Sequence, residues 1–197
     1  MIQCIIFDLS EVLIAGLVGV EEELSQVLPV PQEQILPGFG GSWLEELLVG
    51  NISEDTYLNH IIARERWAVS TARLKTAVRN NLHKEVAGSL AILTELASRY
   101  ELALLSDHAR EWIAYVKSIH PFLKRFKHTF FSYDLKRTKR DPQAFLQVLD
   151  VTAVPPHRCL FIDDNPNNVN VAESVGIPGI RFVSAEQLAA ELEGMRV

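Results

Sequence analysis

Cysteine is scarce in this chain: two among 197 residues, Cys4 and Cys159, each inside an apolar run. Two thiols so placed exclude a disulfide framework and fit a reducing compartment, so we expect a cytoplasmic protein. Basic blocks are also missing. The 19 Lys+Arg face 25 Asp+Glu for a net charge of −6, and the cations never cluster beyond a few residues. An extended nucleic-acid surface or an anionic membrane needs clustered cations, so neither is expected as a partner. No run reaches the ~18 apolar residues of a membrane span, and the apolar start of the chain meets Asp8 too early for a signal peptide. Low-complexity segments are absent, and a hydrophobic content of 48% belongs to a packed core rather than a disordered chain. The length fits one domain of roughly 150 residues with a smaller appendage. Nothing in the sequence selects between a monomer and a homodimer.

What is present is a series of short, largely apolar runs: residues 2–7, 102–105, 159–162 and 180–183, with a weaker one at 129–131. Runs of this kind read as strands buried on both faces of a sheet. Helical patterns lie between them. Asp141-Pro142 and Asn165-Pro166 are helix starts with a mechanism, since the side-chain oxygen accepts orphan N–H groups and proline has none to leave unpaired. Gly176 ends the second of these helices, and Ser184 with Gln187 predicts a capping box for the last one. Strand alternating with helix predicts a doubly wound, Rossmann-like α/β fold with a parallel sheet. Residues 16–81 differ, showing only helical patterns, among them one behind a Ser53 N-cap. We therefore expect an α/β core from residues 1–15 and 82–197, with an α-helical cap of residues 16–81 inserted after the first strand. Such an insertion overhangs the carboxyl ends of the strands, where open α/β sheets bind ligands.

Polar residues end these buried strands: Asp8, Ser106, Asp163 and Asp164. A parallel sheet brings them to one edge. Like charges so close imply raised pKa values or a bound cation, and an all-oxygen set favours Mg²⁺. His60, His83, His120, His128 and His157 lack metal-ligand spacing with one another or with either cysteine. The stretch Pro37-Gly38-Phe39-Gly40-Gly41 has no preceding strand and no following Lys-Ser/Thr, which makes it a flexible loop rather than a phosphate cradle. Trp43 beside it fits a helix face and is a candidate for substrate contact.

The residues so reached resemble those of the haloacid dehalogenase-like superfamily. Ile5-Ile6-Phe7-Asp8-Leu9-Ser10 resembles its first motif, an apolar strand ending in Asp-x-Asp. Leu104-Leu105-Ser106 is similar to the second, and Ser132-Tyr133-Asp134 leading to Lys139-Arg140-Asp141-Pro142 resembles the third. Phe161-Ile162-Asp163-Asp164-Asn165 with Asn168 resembles the fourth, and Gly50-Asn51-Ile52-Ser53 resembles the subgroup with a helical cap between the first two motifs. The resemblance implies a Mg²⁺-dependent phosphomonoester hydrolase acting on a small phosphorylated metabolite, such as a sugar phosphate, through an aspartyl-phosphate on Asp8. It implies Mg²⁺ held by Asp8, the backbone carbonyl of Ser10 and Asp164, with Asp163 nearby. Ser106 and the backbone beyond it at Asp107 would hold phosphoryl oxygens, and Lys139 would neutralise Asp8 and the phosphate. Asn168 is expected to bond the acidic loop from its helix.

Two departures stand out. Arg140 replaces a usual proline, which Asp141-Pro142 makes tolerable. Ser10 replaces the aspartate that serves the family's phosphatases as general acid and base; its hydroxyl cannot do that work unaided. Glu11 and His108 are the candidate substitutes, and we expect Glu11 to face solvent and His108 to cap a helix. The alternatives are a weakened phosphometabolite-binding protein, to which Ser10 points, and a 2-haloacid dehalogenase, which needs no Mg²⁺ and against which the acidic pair counts.

Overall fold

A computed structural model describes residues 1–195 and 197. In chain order the elements are β1 (Cys4–Phe7), α1 (Val20–Leu24), α2 (Gln32–Ile35), α3 (Ser42–Leu48), α4 (Glu54–Glu65), α5 (Thr71–Leu82), α6 (Ser89–Leu96), β2 (Glu101–Ser106), α7 (Arg110–Ile119), β3 (His128–Phe131), α8 (Ser132–Leu135), α9 (Pro142–Thr152), β4 (Cys159–Asp163), α10 (Pro166–Ser174), β5 (Gly179–Arg181) and α11 (Ala185–Met195), with short 3₁₀ turns between some of them. The five strands form one parallel sheet in the order β3-β2-β1-β4-β5, a doubly wound α/β fold. No described helix is long and apolar enough to cross a membrane.

Both faces of the sheet are covered because successive strand residues point to opposite sides. Ile5 and Phe7 join Leu102, Leu104, Leu160 and Ile162 in a core reaching α6, α7, α11 and the helices between β1 and β2. Cys4, Ile6, Ala103, Leu105, Cys159 and Phe161 face α9 and α10 through Phe145, Val148 and Ala172. The two cysteines are free, buried and opposite each other in the β1–β4 register.

Helix starts follow the expected chemistry. Asp141 accepts from the Gln143 N–H (2.9 Å), Asn165 from the Asn167 N–H (3.0 Å) and Ser53 from the Thr56 N–H (3.2 Å). The predicted capping box is half realised: the Gln187 N–H donates to Ser184, but the Gln187 Oε1 accepts from Val183 rather than from Ser184. That bond takes the Val183 N–H, and β5 stops at Arg181, short of the expected residue 183.

From residue 20 to 82 the chain forms only helices and turns, as the periodicity predicted. The glycine-rich stretch expected to be flexible is instead packed. Gly38 lies so close to Trp67 that a Cβ there would come within 2.6 Å of the indole, and Arg64 donates to the carbonyl of Gly40. Two contacts seat α3 beside the sheet edge. Ser132 donates to the Leu48 carbonyl (2.5 Å), and Lys136 donates to those of Val49 and Gly50. Gly50 has φ +72°, and a Cβ there would meet Tyr133 at 2.9 Å.

Glu54 of α4 is buried against the sheet's neighbour α7. Arg79 grips it with two bonds of 2.6 Å, and the Trp112 indole donates to the same carboxylate at 2.7 Å. Glu54→Leu leaves the Arg79 guanidinium without its partner and is expected to lower the unfolding free energy by about 3 kcal/mol. Urea titration checks this, and the double change Glu54→Leu with Arg79→Met should recover most of the loss.

Candidate active site

The strand order reverses between β1 and β4, since β2 follows β1 on one side and β4 returns to the other. The crevice at such a switch point is where an open α/β sheet takes its ligand. The register fixes which residues stand there. Phe7 pairs with Leu104 and with Ile162, so Asp8 stands level with Leu105 and Asp163, and Ser106 ends the neighbouring strand.

Asp8, Asp163 and Ser106 are buried, while Asp164 is half-buried. The Lys139 ammonium lies between the first two, 2.6 Å from Asp8 Oδ1 and 2.7 Å from Asp163 Oδ2. Asp8 Oδ1 also accepts from the Leu9 N–H at 2.7 Å. Asp163 is further held by the Asn165 N–H (2.8 Å) and the Asn168 amide (3.1 and 3.2 Å), the role expected of Asn168. Both oxygens of Asp107 accept from the Lys139 N–H at 3.1 Å, which positions the lysine's backbone as well.

The charges do not balance within this cluster. Burial pushes the Asp8 carboxyl well up, against the pull of Lys139, and Asp163 adds to the rise. Burial raises Asp164 too, with Asp163 again contributing. For Lys139, burial works against the charge, but Asp8, Asp163 and Asp107 outweigh it and hold the ammonium above its ordinary range. The set is one cation short, and its chemistry fits a divalent ion. One carboxylate oxygen each from Asp8, Asp163 and Asp164 lie within 4.8 Å of one another, the only such cluster of His, Cys, Asp and Glu among the described residues. Ser106 adds a second unmet demand: its hydroxyl is fully buried with no hydrogen-bond partner.

The sequence expectations for the two candidate acids are corrected here. Glu11 does not simply face solvent. It is half-buried at φ 60°, and its Oε1 accepts from the Gly16 N–H at 2.8 Å. His108 does not cap α7, which starts at Arg110 behind Ala109 with no side-chain cap. The imidazole is buried, with Nε2 2.7 Å from Ser10 Oγ, its edge against Trp112, and Nδ1 without a partner. No local sequence signal announces a contact across 98 residues. A cavity of about 200 Å³ adjoins this pair, lined by Ser10, Leu17, Leu44, Leu48, His108 and Trp112 among others. Leu44, Leu48 and Asp107 also line a second cavity of about 410 Å³, with Arg140 and Thr138 on its wall. Trp43 lines neither cavity and stacks on His60, at 3.8 Å between ring centres.

Burial, seconded by Lys139, pushes the His108 imidazole down to about 3. The ring is thus neutral when folded at pH 7, whereas the unfolded chain takes up a proton near the ordinary value of about 6.5. Stability from this residue is full above that value and is lost as pH falls toward 3. Between pH 7 and pH 4 the wild type should lose about 3 kcal/mol relative to His108→Gln. Urea unfolding of both at the two pH values checks this, and a pH-independent difference contradicts it.

The structure is that of a doubly wound α/β protein with three carboxylates, a lysine and an unpaired hydroxyl gathered at the switch point of its parallel sheet. Family comparison makes this specific: a model described as a haloacid dehalogenase-like hydrolase matches residues 2–176, and the chain belongs to that family. Among curated proteins, a 69-residue stretch is 38% identical to the chloroplast flavin mononucleotide hydrolase 1 of Arabidopsis thaliana, covering 35% of this chain and 28% of that protein. A 71-residue stretch is 32% identical to an enolase-phosphatase of Persephonella marina, covering 31% of each. The matches thus span less than a third of either relative. Two solved structures share the fold over nearly the whole chain. A HAD family enzyme of Bacteroides thetaiotaomicron in complex with magnesium and inorganic phosphate is 22% identical with a TM-score of 0.74, covering 93% of this chain and 96% of that one. L-2-haloacid dehalogenase of Xanthobacter autotrophicus, with chloropropionic acid covalently bound, is 19% identical with a TM-score of 0.71, covering 98% and 83%.

Proposed function

We propose that the protein is a Mg²⁺-dependent phosphomonoester hydrolase for a small phosphorylated metabolite, with Asp8 as nucleophile. The observation that carries this reading is the buried Asp8 carboxylate beside the unpartnered Ser106 hydroxyl, with Lys139 bridging to Asp163. The names of both curated relatives and the magnesium and phosphate in one structural neighbour point the same way. On this reading residues 1–15 and 82–197 are the catalytic core, and 16–81 are a helical cap whose α3 supplies Leu44 and Leu48 over the site.

Each residue then has a task set by its chemistry. Asp8 Oδ1 is pinned by Leu9 and Lys139, which aims the carboxylate, and its attack on phosphorus makes an aspartyl-phosphate. Lys139 offsets the negative charge brought together when a carboxylate meets a phosphate. The Ser106 hydroxyl donates to a phosphoryl oxygen, which satisfies the buried group. Asp8, Asp164 and the Ser10 carbonyl would hold Mg²⁺, with Asp163 beside them. The ion supplies charge compensation on the phosphoryl oxygens.

Phosphate release from a panel of metabolite monoesters, with Mg²⁺ and with EDTA, tests the reading. Activity that EDTA abolishes and that Asp164→Asn weakens mainly through a higher Mg²⁺ requirement is the expected result. Ser10 favours a second reading, a protein that binds phosphometabolites with negligible turnover. It requires phosphate-analogue binding without release of phosphate from any ester. A 2-haloacid dehalogenase would instead release halide without Mg²⁺, and the carboxylate cluster argues against it.

A further inference from the structure

The hydrolase reading leaves open how a leaving group departs where no carboxylic acid follows Asp8. The site offers Ser10 there, and the tautomer of its partner can be deduced. His108 Nδ1 is buried with no partner, so either an N–H or a lone pair is left unmet. An orphaned N–H is the rarer and costlier defect. The proton therefore sits on Nε2, which donates to Ser10 Oγ over 2.7 Å. The Ser10 hydroxyl hydrogen is then free to point into the cavity that Ser10 and His108 line with Leu17, Leu44, Leu48 and Trp112. Of the nearby carboxyls, Glu11 Oε1 accepts from the Gly16 N–H, and Asp107, which also lines this cavity, accepts from the Lys139 N–H with both oxygens.

We propose that His108 fixes the Ser10 hydroxyl as a neutral hydrogen-bond donor to the leaving-group oxygen, and that the protein therefore selects phosphates with stabilised leaving groups, namely acyl, enol or aryl phosphates rather than simple alkyl esters. The inference rests on the hydrolase reading. In the first step an Asp8 oxygen bonds to phosphorus, the P–O bond to the leaving group breaks, and its electron pair stays on the leaving oxygen. The Ser10 O–H holds that oxyanion without surrendering its proton, and solvent protonates it after departure. Water then attacks phosphorus, the Asp8 carboxylate leaves with its electron pair, and the proton that water loses passes to solvent. A hydrogen bond suffices for a carboxylate or phenolate leaving group, whose conjugate acids have pKa values of about 4 and about 10. It is inadequate for an alkoxide, whose parent alcohol is as weak an acid as water, in a cavity whose wall is largely leucine and tryptophan, with Asp107 at its edge. The loose transition state of phosphoryl transfer makes the rate sensitive to this difference. His108 is on this view a positioning residue, acting through Ser10.

The test is kcat/KM with Mg²⁺ for acetyl phosphate, a substituted phenyl phosphate series and ethyl phosphate. Wild type should favour the aryl and acyl substrates over ethyl phosphate by about 10²–10⁴-fold, the acceleration that a proton donor would otherwise supply. Ser10→Asp should raise ethyl phosphate turnover and flatten the dependence on leaving-group pKa. Ser10→Ala should lower turnover on the order of 10²-fold. His108→Ala should follow it, and His108→Gln, which retains an N–H donor near the Nε2 position, should restore most of the loss; failure to restore removes His108 from the proposal. A flat wild-type dependence overturns the inference while leaving the hydrolase reading intact, as does a dependence that Asp107→Asn makes steeper, since Asp107 would then be the acid. If no substrate, acetyl phosphate included, is hydrolysed above the Asp8→Asn background, the hydrolase reading falls and the inference with it.

Discussion

Asp8→Asn is expected to abolish phosphate release, by a factor on the order of 10⁴–10⁶, without lowering stability. The amide is nearly isosteric with the carboxylate and its oxygen can still accept from the Leu9 N–H, so the loop after β1 keeps its shape. On the hydrolase reading what disappears is the nucleophile, and Asp163 is held away from that task by Lys139, Asn165 and Asn168. The stability half follows from the electrostatics. Burial raises the Asp8 carboxyl despite the lysine beside it, so the folded state carries this charge at a net cost, and neutralising it offsets part of that cost. A variant that is inactive and unfolds at the same or higher urea concentration therefore places the residue in the chemistry. A marked fall in the midpoint would make Asp8 a structural residue instead. The pattern is that of a site held ready at the expense of the fold.

Lys139→Met is expected to cost about 3–5 kcal/mol of unfolding free energy at neutral pH, together with phosphatase activity. Methionine matches the stem of the lysine but leaves Asp8 and Asp163 facing each other without the ammonium now 2.6 and 2.7 Å away. Both carboxylates are buried, so solvent cannot screen them. The loss should shrink as pH falls, since the Asp8 carboxyl, raised by burial, takes up a proton and then needs the cation less. Mg²⁺ should stabilise the variant more than the wild type, because the ion would bring to these carboxylates the positive charge that the lysine no longer supplies. Urea titrations at two pH values with and without Mg²⁺ check all three expectations. A loss below about 1 kcal/mol would mean that the ion pair is as dispensable as an exposed one.

Much of the fold was readable because buried parallel strands leave a local trace. The apolar stretch 4–7 is β1 and the run 159–162 makes up all but the last residue of β4, and Asp-Pro and Asn-Pro mark the starts of α9 and α10 through their capping bonds. Strand ends were readable for the same reason, so Asp8, Ser106 and Asp163 were found as a set. Lys139 was legible through its motif, with Asp8 as its expected partner, but its second partner Asp163 and the hold of Asp107 on its backbone were not. The glycine-rich stretch misled because composition reports backbone freedom and not the Trp67 ring lying against Gly38.

By itself, then, the sequence determined the sheet, its helical insertion and the acidic edge, since periodicity, caps and strand length are set by neighbours a few residues apart. Tertiary structure alone decided what surrounds that edge. It brought His108 onto Ser10 and placed Leu44 and Leu48 beside them. It also buried Glu54 between Arg79 and Trp112. These contacts join residues from 25 to 98 positions apart. Such pairs leave no periodic pattern, because only the packing of α3, α4, α5 and α7 and the loops at the strand ends creates them.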